Sequence, residues 1–179
     1  MAAGNLLGLC GSLRAESFNR KLMREGARLF DPTEFVEGNL RLPLYDGDLE
    51  AQGIPLEVTE LGEQIAAADA VLVVGPEYNK NLSGVLKNAL DWVSRVPGGV
   101  WKDKPVAIAS ATAGRAGGER SQNSMRLCLT PFRPRIVNGP EMLLAGAHNE
   151  FDENGRLKGE IYINTYLELM QALKAEAGL

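Results

Sequence analysis

An α/β fold with a parallel sheet covered on both faces is the architecture the sequence predicts, on three observations. Short apolar runs alternate with helical segments along the whole chain, the pattern of strands joined by helical crossovers. The clearest run, Ala70-Val71-Leu72-Val73-Val74, is apolar at every position and so needs cover on both faces, as a central parallel strand does. The chain has 179 residues, 45% hydrophobic and 23% charged, which suits one domain spanning residues 1–179 with a sizeable core.

The elements follow in order. Leu6-Leu7-Gly8-Leu9-Cys10 is a buried strand that meets a loop at Gly11-Ser12. From Asn19 to Phe30 the apolar residues Leu22, Met23, Ala27 and Phe30 keep helical spacing, and Asp31-Pro32 stops the helix. Glu34 to Val36 reads as a second strand, leading into the Pro/Gly-punctuated loop Arg41 to Asp48. Pro55 opens a helix to about Ala68, with Val58, Leu61 and Ile65 on one face. The strand Ala70–Val74 ends in Gly75-Pro76-Glu77-Tyr78-Asn79, and Ser83 is a good N-cap for a helix from Gly84 to about Arg95. Lys104 to Ala109 is a fourth strand. The Gly-rich stretch Ala113 to Gly118 and a helix to about Leu129 come next. Ile136-Val137 starts a fifth strand, which Glu141 to Leu144 continue beyond Gly139-Pro140. Asn149 to Gly159 is polar and loop-like, and a last helix runs from about Glu160 to Ala175. Five strands in a chain of this length predict a doubly wound, flavodoxin-like three-layer fold with a five-stranded parallel sheet.

Composition excludes several functions. The formal net charge of −4 argues against a nucleic-acid footprint, which calls for a basic face. No apolar run approaches the ~20 residues a membrane-spanning helix requires, so no membrane insertion is expected. Met1 to Leu9 lacks the basic flank and cleavage pattern of a secretion signal and reads as an entering strand, so a cytoplasmic location is expected. Cys10 and Cys128 lie far apart, without a CxxC motif or a Cys/His cluster. They predict reduced, mostly buried thiols and no metal site.

Ligands of such folds bind beyond the carboxyl ends of the strands, where the strand order reverses. Three loops therefore carry the expectation of function. In Gly11 to Asn19, Ser12, Ser17 and Asn19 offer side-chain donors, Arg14 a fork of N–H groups and the helix start free amides, a set suited to a phosphate dianion. The plainer alternative is that Ser17 or Asn19 only caps the helix while Arg14 sits in water. The loop has neither the GxxxxGK[ST] of a nucleoside-triphosphate site nor the GxGxxG of a dinucleotide fingerprint. In Pro76 to Lys80, Tyr78 can flank a flat ring and the rigid turn can aim backbone groups at it. In Ser110 to Gly114, small residues let a backbone approach a ligand closely. A surface turn and a flexible connector are the bland readings of these two loops, and the compatibility of all three at one sheet end favours function.

These residues resemble a known family. Gly11-Ser12-Leu13-Arg14 with Ser17 and Asn19, then Pro76-Glu77-Tyr78-Asn79, then Gly84 with Leu86-Lys87-Asn88-Ala89-Leu90-Asp91-Trp92, are similar to the NADPH-dependent FMN reductases, in particular the bacterial chromate/quinone reductase branch related to azoreductases and ferric reductases. Leu42-Pro43-Leu44-Tyr45-Asp46 and Gly117-Gly118-Glu119-Arg120 fit as well, and the resemblance runs from the first strand to about Glu141. It implies noncovalent FMN and NADPH or NADH as reductant. On that resemblance Ser12, Arg14, Ser17, Phe18 and Asn19 match the phosphate loop. Glu77, Tyr78, Asn79 and Lys80 match the loop along the ring and ribityl chain, and Thr112 matches a hydroxyl position of the third loop. Several relatives carry a second aromatic where this chain has Lys80, which either draws anionic acceptors or points into water.

The resemblance further implies hydride transfer from the nicotinamide to FMN and then to a small-molecule acceptor (quinone, chromate, ferric, azo or free flavin) by a ping-pong course. No side chain is required as nucleophile or general acid. A homodimer or homotetramer is implied, with Trp92, Trp101, the helix around Asp91 and the segment Gly117 to Arg126 as interface candidates; ordinary intrachain packing is the alternative for each. The rival function is a flavodoxin-type electron carrier with no NAD(P)H oxidation of its own. His148, the one histidine, is expected to be incidental.

Overall fold

The computed structural model describes residues 4–179. The expected entry of the first strand at Met1 to Ala3 lies outside the described residues. Strand β1 (Asn5–Cys10) and helix α1 (Phe18–Phe30) are followed by β2 (Glu34–Glu37), α2 (Gly47–Ala51) and α3 (Leu56–Ala67). Then come β3 (Ala70–Val74), α4 (Gly84–Val93), β4 (Pro105–Ala111), α5 (Glu119–Leu129), β5 (Arg135–Ile136), β6 (Met142–Leu144) and α6 (Glu160–Ala177).

The strands pair in parallel in the order β2-β1-β3-β4-β5, and β6 also pairs with β4. The expected fifth strand is therefore two short pieces along one edge of β4, with the cis Gly139-Pro140 bond between them. Proline donates no backbone hydrogen, so an unbroken ladder through it is not available. The five-stranded parallel arrangement stands, its last position shared by β5 and β6.

The period-two alternation of each strand builds two cores. Leu6, Leu72 and Val74 face α1 and α6, whereas Leu7, Leu9, Val71 and Val73 face the layer that holds α3, α4 and α5. On the first face Gly26 permits close approach of two helices: a Cβ there would overlap the Tyr166 side chain. The Tyr166 hydroxyl is fully buried and donates to the Leu22 carbonyl at 3.0 Å.

Both tryptophans are buried within the chain, which answers the interface expectation for them in favour of intrachain packing. Trp92 Nε1 and Asn88 Nδ2 both donate to the Pro43 carbonyl at 2.8 Å, and Tyr45 packs edge-on against Trp92 at 5.0 Å. The loop after β2 is thus fastened to α4. Its tail forms α2, which the sequence did not signal because none of its residues is buried. The switch in strand order lies between β1 and β3, so the loops after these strands diverge around a crevice at the carboxyl end of the sheet.

Candidate functional site

The first loop is held from below. Gly11 N donates to Val74 O at 2.8 Å, and a Cβ on Gly11 would lie 2.8 Å from Ser83 Oγ, so only glycine lets β1 turn out this close to the second loop. Ser17, 2% exposed, caps α1 by accepting from Arg20 N at 3.3 Å. Phe18 and Asn19 then begin the helix with N–H groups that have no earlier helical carbonyl to bond. Cys10 lies beneath the turn. Its thiol bonds the Ser12 carbonyl at 3.5 Å, and burial pushes its pKa up, keeping it a neutral thiol rather than a nucleophile.

The second loop is a tight turn. Tyr78 and Asn81 exchange two backbone hydrogen bonds of 3.1 Å, and the residues between them, Asn79 and Lys80, both take left-handed backbone with φ of 51° and 66°. That pair of positive angles is the turn type whose twist suits a two-residue hairpin. Asparagine tolerates it, whereas lysine is strained there. Tyr78 is 49% exposed. The Glu77 side chain leaves the turn in another direction: its carboxylate accepts from Arg120 N at 3.1 Å and Ser121 N at 3.4 Å. Gly118, at the N-cap of α5, has no side chain to do this, so Glu77 supplies the cap from 43 residues away.

The third loop leaves β4 at Ala111. The Asn19 carboxamide donates to Ala111 O and accepts from Ala111 N, both at 2.9 Å. Ser110, also buried, donates to Gly117 O at 2.6 Å and accepts from Gln122 Nε2 at 3.0 Å, which anchors the Gly-rich stretch.

Together the loops enclose a pocket of about 200 Å³ lined by Ser12, Arg14, Ser17, Phe18, Asn19, Pro76, Glu77, Tyr78, Ala111, Thr112 and Ala113. Eight of the ten residues singled out from the sequence line it. Asn79 and Lys80 do not; both are exposed at the tip of the turn. A larger groove of about 760 Å³ lies along α1, with Lys21, Arg24, Arg28 and Arg156 among its lining. Each of these cations is already matched by Glu16, Glu37 or Glu25, so the groove offers an anion far less than the smaller pocket does.

Two contributors had no local signal in the sequence. Arg41, on the loop after β2, donates from Nη2 to the Leu13 carbonyl at 2.9 Å and braces the first loop from outside. Phe151 lies parallel to Phe18, with ring centroids 6.4 Å apart, so the polar stretch before α6 reaches back to the pocket wall.

The donor set fits the phosphate of FMN: two hydroxyls, a guanidinium on an exposed side chain and the first amides of a thirteen-residue helix converge on one pocket. The half-exposed Tyr78 ring and the small residues Ala111 and Ala113 leave flat, close-approach surface beside it.

Comparison with known proteins agrees. The chain is 40% identical over 171 residues to an NAD(P)H-dependent FMN reductase of Pseudomonas aeruginosa, covering 94% of this chain and 92% of that protein. It is 38% identical over 148 residues to a quinone reductase of Escherichia coli K12, covering 80% and 79%. Among solved structures, FerB of Paracoccus denitrificans, a flavoenzyme NAD(P)H:(acceptor) oxidoreductase, superposes with a TM-score of 0.88 at 29% identity over 98% of this chain and 97% of that one. An azoreductase of Bacillus anthracis, at 20% identity and a TM-score of 0.63, shares the fold over the full length of both chains. The family model for NADPH-dependent FMN reductases matches residues 5–149, from the first strand to beyond the sixth. The chain belongs to the NADPH-dependent FMN reductase family and is on that account an oxidoreductase that works with FMN and NAD(P)H.

Proposed function

We propose that the protein is a quinone reductase that takes hydride from NAD(P)H and hands it to a small acceptor at the same open site by a ping-pong course. The observation that carries the reading is the single pocket in which the anion-binding loop, Tyr78 and Thr112 meet. Bound FMN supplies a ring that accepts a hydride and releases it as two electrons and a proton. Arg14, the Ser12 and Ser17 hydroxyls and the amides of Phe18 and Asn19 would hold the phosphate by charge-assisted hydrogen bonds. Tyr78 and Thr112, which line the same pocket, would hold the ring, and Glu77 fixes the turn that carries Tyr78. No nucleophile and no protein acid or base is assigned, and the protein's part is to orient the two reactants.

Quinones head the acceptor list because relatives at 38% identity are named for them. Chromate, ferric chelates, azo compounds and free flavin follow on the open character of the site. Lys80, at the exposed tip of its turn, favours anionic acceptors over neutral ones. We also propose a cytoplasmic homodimer or homotetramer.

The test is an absorption spectrum of the purified protein with FMN, followed anaerobically by NADPH and then a quinone. A flavin band near one per chain, bleached by NADPH and restored by quinone, with parallel lines in double-reciprocal plots, is the expected result. A band that NADPH does not bleach makes the protein an electron carrier. Absence of flavin binding overturns the reading.

A further inference from the structure

We infer that Asn19 is a positioning residue that holds the first and third loops in register through its side chain, while only its backbone amide faces the phosphate. The inference rests on the FMN reading above and assigns a different job to a side chain that the sequence offered as a ligand.

Asn19 is 4% exposed, and both polar atoms of its carboxamide are taken by the N–H and C=O of one residue, Ala111. The reason lies in the sheet. β3 ends at Val74, and its last bond to β4 runs from Gly75 N to Ala109 O at 3.2 Å. β4 continues two residues further, to Ala111. On its other edge Ala111 pairs with Leu144 of β6, and Thr112 N donates to Leu144 O at 3.0 Å. The N–H and C=O of Ala111 itself meet no β3 residue. A buried backbone pair left so would cost the full desolvation of both groups. The carboxamide of Asn19, a donor and an acceptor in one plane, takes the place of the missing strand residue.

The bond spans 92 residues of sequence. It fixes the start of α1, with its cap Ser17, relative to Thr112 and Ala113 on the far wall of the pocket. Asparagine is suited to this: aspartate lacks the donor when ionised, and glutamine is one methylene too long for the same plane. A protonated aspartic acid restores both bonds, donating to Ala111 O and accepting from Ala111 N.

The test compares N19A, N19D and Y166F by FMN titration and by hydrogen exchange at the Ala111 amide, well below every melting temperature. Y166F removes a buried hydrogen bond from the same helix outside the pocket and controls for general loosening. Expected are an FMN Kd raised about ten-fold or more in N19A, within about two-fold of the parent in Y166F, and faster Ala111 exchange only in the Asn19 variants. N19D should bind weakly near about pH 8 and recover toward about pH 5.5 as its buried carboxyl protonates, after subtraction of the parent's own pH dependence. Should N19A not fold, the change in FMN affinity of N19D between about pH 8 and about pH 5.5, relative to the parent's, decides. Parent-like FMN affinity in N19A, or an N19D affinity that follows the parent across pH, overturns the positioning role while leaving the FMN reading intact. A parent that binds no FMN overturns the FMN reading and the inference with it.

Discussion

The loop after β1 and the loop after β3 stand side by side at the end of the sheet and are built in opposite ways. In the first, Ser12, Ser17 and Asn19 are 4%, 2% and 4% exposed, and the backbone is bonded to the neighbouring strand below and to Arg41 outside. In the second, Tyr78 is 49% exposed and the two residues after it hold left-handed backbone at the tip of a free-standing turn. On the proposed reading, the first loop would be preorganised around the part of the ligand that stays and the second would present an open face where reactants come and go. Preorganisation favours affinity because the ordering cost is met on folding rather than on binding. An exchange face has the reverse need, since tight binding of either reactant slows turnover.

The contrast is broken most severely at Arg14. Arg14 lines the pocket and is exposed, so removal of its side chain leaves the core untouched. R14A is expected to weaken FMN by about 1.5–3 kcal/mol, roughly 10- to 150-fold, the usual range for hydrogen bonds to a charged group. The melting temperature of the FMN-free protein should stay near the parent's. Equal flavin affinity in variant and parent, measured by fluorescence titration, would sink the phosphate role of Arg14.

Next comes Glu77, which joins the open turn to α5. E77A removes a charged cap from a helix whose own N-cap residue is glycine, and should cost about 0.5–2 kcal/mol of stability. E77Q keeps an acceptor oxygen and should recover more than half of that loss. Denaturant unfolding of the FMN-free variants checks both. A glutamine variant as unstable as the alanine one would show that the carboxylate's charge, not its geometry, matters.

How much of this was legible beforehand divides along the same line. β3 was readable because five apolar residues in a row admit one explanation. Ser17 and Ser83 were readable as caps because the cap signal is local, lying within three residues of its partner. The first loop's set of donors was readable because they are contiguous, and the structure brings Ser12, Arg14 and Ser17 to one pocket. By contrast, Asn19 with Ala111, Glu77 with Arg120 and Arg41 with Leu13 join positions 92, 43 and 28 residues apart. Residue type alone makes Asn19 and Glu77 plausible ligands, and only the folded arrangement reveals that protein backbone takes both polar atoms of the Asn19 carboxamide and one carboxylate oxygen of Glu77. α2 is capped by Asp46, which accepts from Asp48 N, but has no apolar period to announce a helix in the sequence. Pro140 marks the break between β5 and β6 locally, but that both pieces pair with the same edge of β4 is encoded by no local pattern.

Tyr78 tests the exchange face directly. With half its surface in solvent, Y78A should change FMN affinity by no more than about 0.5–1.5 kcal/mol, the range of a single aromatic contact. It should act more on the KM of quinone than on that of NAD(P)H if the tyrosine edge orients the acceptor. Steady-state kinetics with each substrate varied separates the two, and an equal rise in both KM values would make Tyr78 a general wall of the pocket.

The smallest effect is expected at Lys80, and it sharpens the comparison most. A lysine at φ of 66° is strained by about 1–2 kcal/mol relative to ordinary helical backbone, and glycine escapes that strain at an entropic cost of about 0.5–1 kcal/mol. K80G should therefore leave stability unchanged or raise it by up to about 1 kcal/mol. Because Lys80 lies outside the lining of the pocket, FMN affinity should stay within about two-fold. On the proposed reading the charge of Lys80 draws anionic acceptors to the exposed turn. Turnover of an anionic acceptor such as chromate should then fall in K80G relative to a neutral quinone, and the difference should shrink as salt is raised, since an exposed charge is screened within about 8–10 Å at ordinary ionic strength. Equal losses on both acceptors, insensitive to salt, would mean that the turn's shape and not its charge sets the exchange face.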